Sequence, residues 1–338
     1  MADFPPDTIL ELPSHITATY LSEGAANVVY TINVPPQSST DEHGDVEENG
    51  KANTPNPWHG KLLRFRKDLP TTTPTLTAHL AFRTSIAPLF PSEDLIDIRL
   101  VSLGSSHLIR TLNAALVAAE KASSSPRPKQ RHGVYLADDP HALLITDMSP
   151  PTSTTLIQFK PKWLAPSPSA PPGSKRCRTC ALHARRAIKK PSFCPLDLIS
   201  SHPPDVRRAA ALLLGLPLSA AASSSSTDPE VVTGVSENGN GNGNAAAKTT
   251  TAPLATPKQL DTLTRLTHWA LTSPLLRHLR HLQSSCDPLG VLSVIESGDA
   301  AARRGLQIAM TLRDVTVFLV VPDGEGVLRS RLGDLDVK

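Results

Sequence analysis

The chain has 338 residues, a formal net charge of +3, 32 prolines and only 4% aromatic residues. This near-neutral balance excludes a protein that binds polyanions through its overall charge, so an anion site must come from local clustering. Four cysteines in so long a chain exclude a disulfide-built scaffold. No apolar run approaches the roughly 18 residues of a membrane span, which predicts a soluble intracellular protein.

The first predicted element is a hairpin with a tip of small residues. Residues 16–20 and 28–34 have strand character, and Glu23-Gly24-Ala25-Ala26-Asn27 lies between them. A tip without bulky side chains lets backbone N–H groups approach phosphates closely, although an ordinary hairpin fits the same pattern. The polar Gly/Pro/Asn-rich residues 35–60 are interpreted as a disordered insertion.

The next predicted strand, residues 61–67, carries cations on both faces. Its period of two places Lys61 and Lys67 on one face and Arg64 on the other. In kinase-like folds, a cation on a strand beside a glycine hairpin pairs the nucleotide phosphates. Helices are then predicted at 75–89 and 107–122, strands at 134–136 and 142–148, and a hinge at Ser149-Pro150-Pro151.

The second half of the chain reads as mostly helical. A short strand at 156–159 runs into Lys160-Pro161-Lys162, where proline fixes the backbone between two lysines. Helices are predicted at 207–216, at 260–283 with an interruption by Pro274, and at 298–313. The low-complexity residues 219–257 are interpreted as a second disordered insertion.

The cysteines suggest a metal site. Cys177 and Cys180 form a Cys-x-x-Cys pair, and Cys194 follows. One histidine would complete a tetrahedral Cys₃His zinc site, and both His183 and His141 are candidates for that fourth ligand. Free buried thiols and a labile redox pair are the alternative interpretations.

The last 25 residues predict a hairpin that carries two carboxylates. Asp314 precedes an apolar strand at 315–321, a turn follows, and a second strand at 327–332 leads to Asp334. Such a hairpin places both aspartates at the same end. In phosphoryl transfer one carboxylate accepts the proton of the nucleophile and the other holds Mg²⁺. The alternative is two strand-end aspartates in solvated turns.

Taken in order, these motifs resemble the inositol-pentakisphosphate 2-kinase family, with a spacing of fungal type. The segments that carry the resemblance are EGAANVV at 23–29, GKLLRFRK at 60–67, FKPKW at 159–163, CRTC at 177–180, CPLDL at 194–198, LRDVT at 312–316 and GDLDVK at 333–338. Each segment is a weak signal alone, but together they span nearly the whole chain outside the two low-complexity stretches.

The resemblance implies an α+β, two-lobed fold like that of inositol polyphosphate kinases and protein kinases, with mostly antiparallel sheets. Residues 1–148 would form the N-terminal, nucleotide-binding lobe, and residues 149–338 the C-terminal lobe. The implied reaction is ATP-dependent phosphorylation of the 2-hydroxyl of inositol 1,3,4,5,6-pentakisphosphate, giving inositol hexakisphosphate (phytate). We expect a monomer in the nucleus, the cytoplasm or both, with no membrane or nucleic-acid partner.

The resemblance also implies roles for individual residues. Gly24 and Asn27 would cover the ATP phosphates, Arg64 would pair them, and Asp147 and Met148 would hold the adenine at the hinge. The substrate phosphates would be bound by Lys67, Arg131, Lys160, Lys162, Lys189 and Lys338. Asp314 would be the catalytic base and Asp334 the Mg²⁺ ligand.

Two features depart from the family pattern. The chain stops at Lys338, where family members continue into a helix with further substrate contacts, so we expect a truncated sequence or an incomplete substrate site. Arg313 stands where a lysine is expected before the catalytic aspartate, which keeps the charge but not the geometry. Two alternative functions therefore remain: a pseudokinase-like protein that binds inositol phosphates or ATP, and a zinc-containing nucleic-acid binder that uses residues 175–190.

Overall fold

A computed structural model of the protein describes residues 8–35, 56–150, 152–188, 192–222 and 255–337. Within these ranges the fold is α+β with two sheets whose strand pairs are mostly antiparallel, which confirms the predicted class. The interiors of the two predicted insertions lie outside the described residues. The predicted second insertion, residues 219–257, is too long at both ends. Ser219–Ala222 forms a helical turn, and Pro257 begins a helix whose first turn is closed by a capping box from Thr256.

The described secondary structure follows the predicted order, with some additions. The strands are β1 (Leu10–Glu11), β2 (Thr17–Glu23), β3 (Asn27–Asn33), β4 (Lys61–Arg66), β5 (Ile98–Ser102), β6 (His141–Thr146), β7 (Thr154–Phe159), β8 (Thr316–Pro322) and β9 (Arg329–Gly333). The helices are α1 (Thr75–Ser85), α2 (His107–Lys121), α3 (Arg178–Arg185), α4 (Pro195–Leu198), α5 (Pro203–Leu213), α6 (Ser219–Ala222), α7 (Pro257–Thr272), α8 (Pro274–Ser285), α9 (Val291–Ser297) and α10 (Ala300–Leu312).

Two local predictions need correction, and some elements were not predicted. The strand predicted at 134–136 is reduced to one bridge between Lys67 and Leu136. The helix predicted at 75–89 ends at Ser85 and is followed by a 3₁₀ turn, Ala87–Leu89, because Pro88 has no N–H to continue the α-helical hydrogen bonds. Strand β5 was not predicted at all.

The chain divides into two compact units. Unit 1 comprises Met1–Leu156, Thr316–Glu325 and Arg329–Lys338, and unit 2 comprises Ile157–Val315 and Gly326–Leu328. The sequence-based division at residue 148 placed the C-terminal hairpin in the second lobe, whereas here it groups with the first. Within unit 1, Ile96 N donates to Leu332 O at 3.0 Å and so joins the hairpin to the segment before β5.

The main sheet of unit 1 has the order β1-β5-β6-β4-β3-β2. Only the β1–β5 pair is parallel among the described pairs, and it is two residues long. One face of the sheet carries Tyr30, Phe65 and Leu144, which pack into one buried cluster with Leu112 and Leu116 of α2. The period-two pattern of β4 and the four-residue spacing on α2 therefore meet in a single core.

The second sheet has the order β7-β8-β9. In the β8–β9 hairpin Thr316 pairs with Gly333, so the start of β8 lies opposite the end of β9. Gly333 is packed so closely that an added Cβ would lie 2.8 Å from the Phe318 ring and 2.9 Å from Ile96. A larger residue at this position would have to displace the side chains of Phe318 and Ile96, which favours glycine at the end of β9.

Unit 2 is mostly helical. Its largest fully buried side chains include Leu263 and Leu266 of α7 and Leu276 and Leu279 of α8, at the three- and four-residue spacing of helices with one apolar face. Ser273 accepts a hydrogen bond from Leu276 N and so caps α8. Among the described helices, none combines the length and hydropathy needed to cross a membrane.

Candidate functional site

A buried ion cluster anchors the β2–β3 hairpin of unit 1. Glu23, at the end of β2, lies between two cations: Lys67 Nζ is 2.5 Å from one carboxylate oxygen and Arg127 Nε is 2.8 Å from the other. All three side chains are fully enclosed. Lys67 Nζ also donates to Gly24 O at 2.8 Å, so this cluster fixes the backbone at the hairpin tip.

The charge state of Glu23 depends on these partners. Burial by itself would raise the pKa of Glu23, but hydrogen bonds from Arg127 and Lys67 together outweigh it and lower the pKa below the ordinary value. Tyr20 donates to the same carboxylate, and burial together with the charge of Glu23 raises the pKa of Tyr20 to about 12. Glu23 is therefore an ionised, structural carboxylate.

This cluster corrects one predicted site residue. Lys67 was expected to bind a substrate phosphate, but its ammonium is completely buried and is used by Glu23 and Gly24. A buried ammonium with these partners stabilises the hairpin and is not available to a soluble anion. Glu23 was not predicted as the partner of Lys67, although it begins the EGAANVV segment.

Arg64 and Asn27 converge on one carboxylate near the C-terminal end of unit 1. Arg64 Nη2 donates to Asp336 Oδ1 at 2.7 Å, and Asn27 Nδ2 lies 3.5 Å from Asp336 Oδ2. Asn27 is on β3 and Arg64 is on β4, and these two strands are paired with Val29 opposite Arg64. Asp336 was not predicted, although the GDLDVK segment contains it. The Asp336 carboxylate accepts a hydrogen bond from the Arg64 guanidinium, as a phosphate group could.

The hairpin tip itself is open. Gly24 N donates to Asn27 O at 2.9 Å and closes the turn, and a Cβ added at Gly24 would meet nothing within 4 Å. The small residues predicted for a phosphate-covering turn therefore do form a tight turn. Its conformation comes from the hydrogen bond within the turn and from the Glu23–Lys67 cluster below it.

Asp334 follows β9 directly and is exposed. Its φ of 62° is in the left-handed region, which aspartate tolerates better than most residues. The Cα position is fixed by the tightly packed Gly333 before it and the buried Leu335 after it. The side chain of Asp334 thus leaves the sheet at a defined point, as a carboxylate that could ligate a cation.

The remaining predicted residues of unit 1 are less tightly held. Asp147 follows β6, its N–H donates to Gly60 O at 2.9 Å, and its carboxylate accepts from Ser149 N at 2.8 Å. Met148 is half-buried, and Arg131 ends a 3₁₀ turn. Lys189 and Lys338, both predicted to bind substrate phosphates, lie outside the described residues.

In unit 2 the predicted base and two predicted substrate lysines come together. Lys162 Nζ lies 2.9 Å from Asp314 Oδ1, and Lys160 Nζ lies 2.8 Å from Asp314 O and 3.4 Å from Asp314 Oδ1. The exposed fraction of the side chain is 35% for Asp314, 41% for Lys162 and 34% for Lys160. This group, which we call the Asp314 cluster, is accessible to a soluble ligand.

Local backbone geometry explains how two lysines two residues apart reach the same carboxylate. Pro161 lies between them, and Lys162 has a φ of 59°, in the left-handed region that a lysine rarely adopts. In an extended strand, side chains two residues apart already lie on the same face. This spacing, with the backbone turned at Lys162, brings both ammonium groups to Asp314.

Three thiols converge elsewhere in unit 2. The sulfur atoms of Cys177, Cys180 and Cys194 all lie within 4.8 Å of one another. The candidate fourth ligands are not part of this group among the described residues: His183 is half-buried on α3, and His141 is on β6 of unit 1. The geometry offers three soft ligands of a tetrahedral site.

One of the thiols is prepared for ionisation. A hydrogen bond from Cys194 lowers the pKa of Cys177, assisted by the backbone N–H of Cys180 at 3.3 Å, since Cys177 is the N-cap of α3. The same thiol–thiol hydrogen bond raises the pKa of Cys194, and burial raises the pKa of Cys180. A divalent cation bound by the three sulfur atoms would abolish these differences in pKa, because it would deprotonate all three thiols.

Comparison with known proteins identifies the family. Residues 20–338 match the family model described as inositol-pentakisphosphate 2-kinase. A curated inositol-pentakisphosphate 2-kinase of Yarrowia lipolytica is 29% identical over 182 residues, which cover 54% of this chain and 46% of the relative. The match thus spans about half the length of that relative. Because the family model covers nearly the whole chain, the resemblance is confirmed: this chain belongs to the inositol-pentakisphosphate 2-kinase family.

Proposed function

We propose that the protein transfers the γ-phosphate of ATP to the 2-hydroxyl of inositol 1,3,4,5,6-pentakisphosphate and so forms inositol hexakisphosphate. The proposal includes the two-lobed, kinase-like arrangement of the family. The observation that carries it is the Asp314 cluster, in which a carboxylate is held by two lysines on either side of a proline. Family membership supplies the reaction class, and this cluster supplies the chemistry at the acceptor.

The Asp314 cluster suits a highly phosphorylated acceptor. Inositol pentakisphosphate carries on the order of eight negative charges at neutral pH, because each phosphate monoester carries about 1.5 to 2. Lys160 and Lys162 would exchange part of their contact with Asp314 for contact with substrate phosphates, as point charges that tolerate several geometries. Asp314 would then accept the proton of the attacking hydroxyl. Arg131, Lys189 and Lys338 are further proposed phosphate contacts.

Unit 1 would bind the nucleotide. Arg64 is an always-charged fork whose carboxylate partner, Asp336, could be replaced by a phosphate with the same acceptor geometry. Gly24 and Asn27 would cover the phosphates from the hairpin tip, and Asp147 and Met148 would contact the adenine. Little covalent chemistry is asked of these residues, since phosphoryl transfer depends mainly on positioning and on neutralising charge.

Two metals fit the residues present. Asp334 is an exposed carboxylate at a fixed backbone position, which is a hard oxygen ligand of the kind that Mg²⁺ prefers. Mg²⁺ bound there would neutralise charge on the triphosphate. Cys177, Cys180 and Cys194 fit a structural Zn²⁺ through three sulfur ligands, and His183 is our proposed fourth ligand. The zinc would hold α3 to the segment before α4.

A kinase assay on the purified chain tests the proposal. A panel of inositol phosphates is incubated with ATP and Mg²⁺, and NMR identifies the position of each new phosphate. The expected result is selective phosphorylation of the 2-hydroxyl of inositol pentakisphosphate. Thermal stabilisation by ATP or inositol phosphates without turnover would instead indicate a pseudokinase-like protein, and stabilisation by oligonucleotides alone would indicate the nucleic-acid binder.

The proposal extends to the state of the protein in the cell. We infer a monomer in the nucleus, the cytoplasm or both. Light scattering coupled to size-exclusion chromatography measures the first property, and imaging of the tagged protein measures the second. A stable dimer, or exclusive localisation to a membrane-bound organelle, would contradict this part.

A further inference from the structure

Gln283, on the last turn of α8 in unit 2, ties together the two segments that carry the Asp314 cluster. Its side chain is 1% exposed. Its Nε2 donates to Lys162 O at 2.9 Å and to Leu312 O at 3.0 Å, and its Oε1 accepts from Leu164 N at 2.9 Å. One carboxamide thus uses both donor hydrogens and its acceptor on backbone groups of Lys162 itself, of Leu164, and of Leu312 two residues before Asp314.

These backbone groups belong to an irregular segment and to the end of a helix. Residues 160–164 follow β7, and Leu312 is the last residue of α10. Lys162 has the left-handed φ of 59°, a conformation that persists only where the surroundings hold it. The hydrogen bond from Gln283 to the carbonyl of this same residue is one contact that holds it.

A second contact comes from the same end of α8. Arg313 Nη1 donates to Asp287 Oδ2 at 2.7 Å, and Arg313 Nη2 donates to Gln283 O at 3.1 Å. The guanidinium carbon of Arg313 lies 3.7 Å from the centroid of the Trp163 ring. The residue before Asp314 therefore stacks on the residue after Lys162, and Arg313 is held by the end of α8 and by Asp287 just beyond it.

We propose that Gln283 is a positioning residue for phosphoryl transfer, which acts by holding Lys162 and Asp314 at a fixed position relative to each other. The inference rests on the proposed function and adds a residue that touches neither substrate. A displacement of about 1 Å between a base and its acceptor is enough to cost on the order of 100-fold in rate. A buried amide with three hydrogen bonds restrains the segment after β7 and the end of α10 against such displacement.

The chemistry of the amide explains why glutamine is needed. Only a primary carboxamide offers two donors and an acceptor in one plane. Methionine has a similar volume but forms none of the three hydrogen bonds, which leaves two carbonyls and one N–H unpaired in the interior. Leu279, one turn earlier on α8 and fully buried, contributes packing alone and provides a matched control.

The test compares Gln283→Met with Leu279→Ala in the full chain. Steady-state kinetics gives kcat and the KM for each substrate, and circular dichroism gives the folded fraction at the assay temperature. For Gln283→Met we expect kcat to fall by about 10- to 100-fold and the KM for inositol pentakisphosphate to rise, with the KM for ATP within about twofold of wild type. Leu279→Ala should lower the Tm while all three constants, corrected for folded fraction, stay near wild type.

A purely structural role gives a different pattern. If the kcat of Gln283→Met follows the folded fraction and neither KM changes, the proposal is overturned. If Gln283→Met does not fold, Gln283→Asn, which keeps the amide on a shorter chain, takes its place. If neither variant folds, Gln283 is structural and the proposal fails.

Failure of the proposed function looks different again. Wild-type protein that binds inositol pentakisphosphate in calorimetry without turnover would overturn the proposed kinase activity but not the positioning role of Gln283. In that case a loss of affinity of about tenfold in Gln283→Met, with ATP affinity unchanged, supports the inference, and equal affinities overturn it. Wild-type protein that neither turns over nor binds the inositol phosphate would overturn both.

Discussion

The Lys162 ammonium lies 2.9 Å from Asp314 Oδ1, although 152 residues separate the two in sequence. Lys160 contacts the same aspartate from the other side of Pro161. An exposed pair of this kind adds little to stability, because side-chain entropy and solvent screening offset the Coulomb attraction. Its accessibility to a ligand, and its two cations on one carboxylate, point to function rather than to stability.

Replacing Lys162 with methionine tests its proposed contact with substrate. The change keeps most of the aliphatic stem and removes the charge. We expect kcat/KM for inositol pentakisphosphate to fall by about 10- to 100-fold, as for the loss of one charge-assisted hydrogen bond, with a Tm within a few degrees of wild type. The exposed Lys258 on α7 provides the control, and Lys258→Met should have wild-type kinetics. Equal kinetics for both variants would remove Lys162 from the site.

Asp314→Asn removes the proposed proton acceptor while keeping size and hydrogen-bonding capacity. We expect kcat to fall by about 10²- to 10⁴-fold, the usual contribution of general base catalysis, while circular dichroism shows an intact fold. Asp261→Asn on α7, where the carboxylate is 61% exposed, is the matched control with no expected effect. Turnover by Asp314→Asn within tenfold of wild type would argue against a catalytic role for this carboxylate.

The Glu23–Lys67–Arg127 cluster predicts a specific dependence of stability on pH. Because the pKa of Glu23 is lowered from 4.5 in the folded state, its stabilising contribution is complete above pH 4.5 and is lost as the pH falls through the lower, folded-state pKa. Glu23→Gln should cost about 3–5 kcal/mol at pH 7, since it leaves buried cations without their carboxylate. Urea unfolding at several pH values measures both effects.

The control for this prediction is Glu93→Gln, at an exposed carboxylate of the same unit. It should leave the free energy of unfolding at pH 7 within about 0.5 kcal/mol of wild type. If Glu23→Gln is equally mild, or if its stability falls with acid as steeply as that of wild type, Glu23 does not anchor the hairpin.

The thiol cluster predicts a zinc content that depends on each cysteine. Protein purified without added chelator should contain about one zinc per chain, and Cys180→Ser should lose it together with several degrees of Tm. Cys286→Ser, at a cysteine outside the cluster, should keep the metal. Elemental analysis showing far less than one zinc in the wild type would favour free thiols.

Arg313→Lys distinguishes the family expectation from the contacts found here. A lysine was expected at this position from the resemblance, so the change should be neutral if charge alone matters. The stack on Trp163 and the fork between Asp287 and Gln283 O need a guanidinium instead. We therefore expect a loss of about 1–3 kcal/mol in the free energy of unfolding. An unchanged Tm would show that the ion pair with Asp287 is sufficient.

Several features could be predicted because they are local. The period-two pattern of β4, the leucine spacing of α2 and the break at Pro274 all come from neighbours in sequence, and each is found where expected. The Asp314 cluster was predicted through motifs, not through distance. Lys67 shows the limit of this approach, because the local sequence does not reveal whether a strand lysine faces solvent or a buried carboxylate such as Glu23.

The sequence by itself determined the α+β class, the family and the residue types able to bind phosphate, because periodicity and motif order are properties of the chain alone. Only the tertiary structure decided which cations are available: Lys67 is enclosed by Glu23, while Lys160 and Lys162 remain accessible beside Asp314. It also decided the role of Gln283, whose three hydrogen bonds reach segments more than twenty residues and more than one hundred residues away. The physical reason is that burial and hydrogen-bond partners depend on chain segments that meet only when the protein folds.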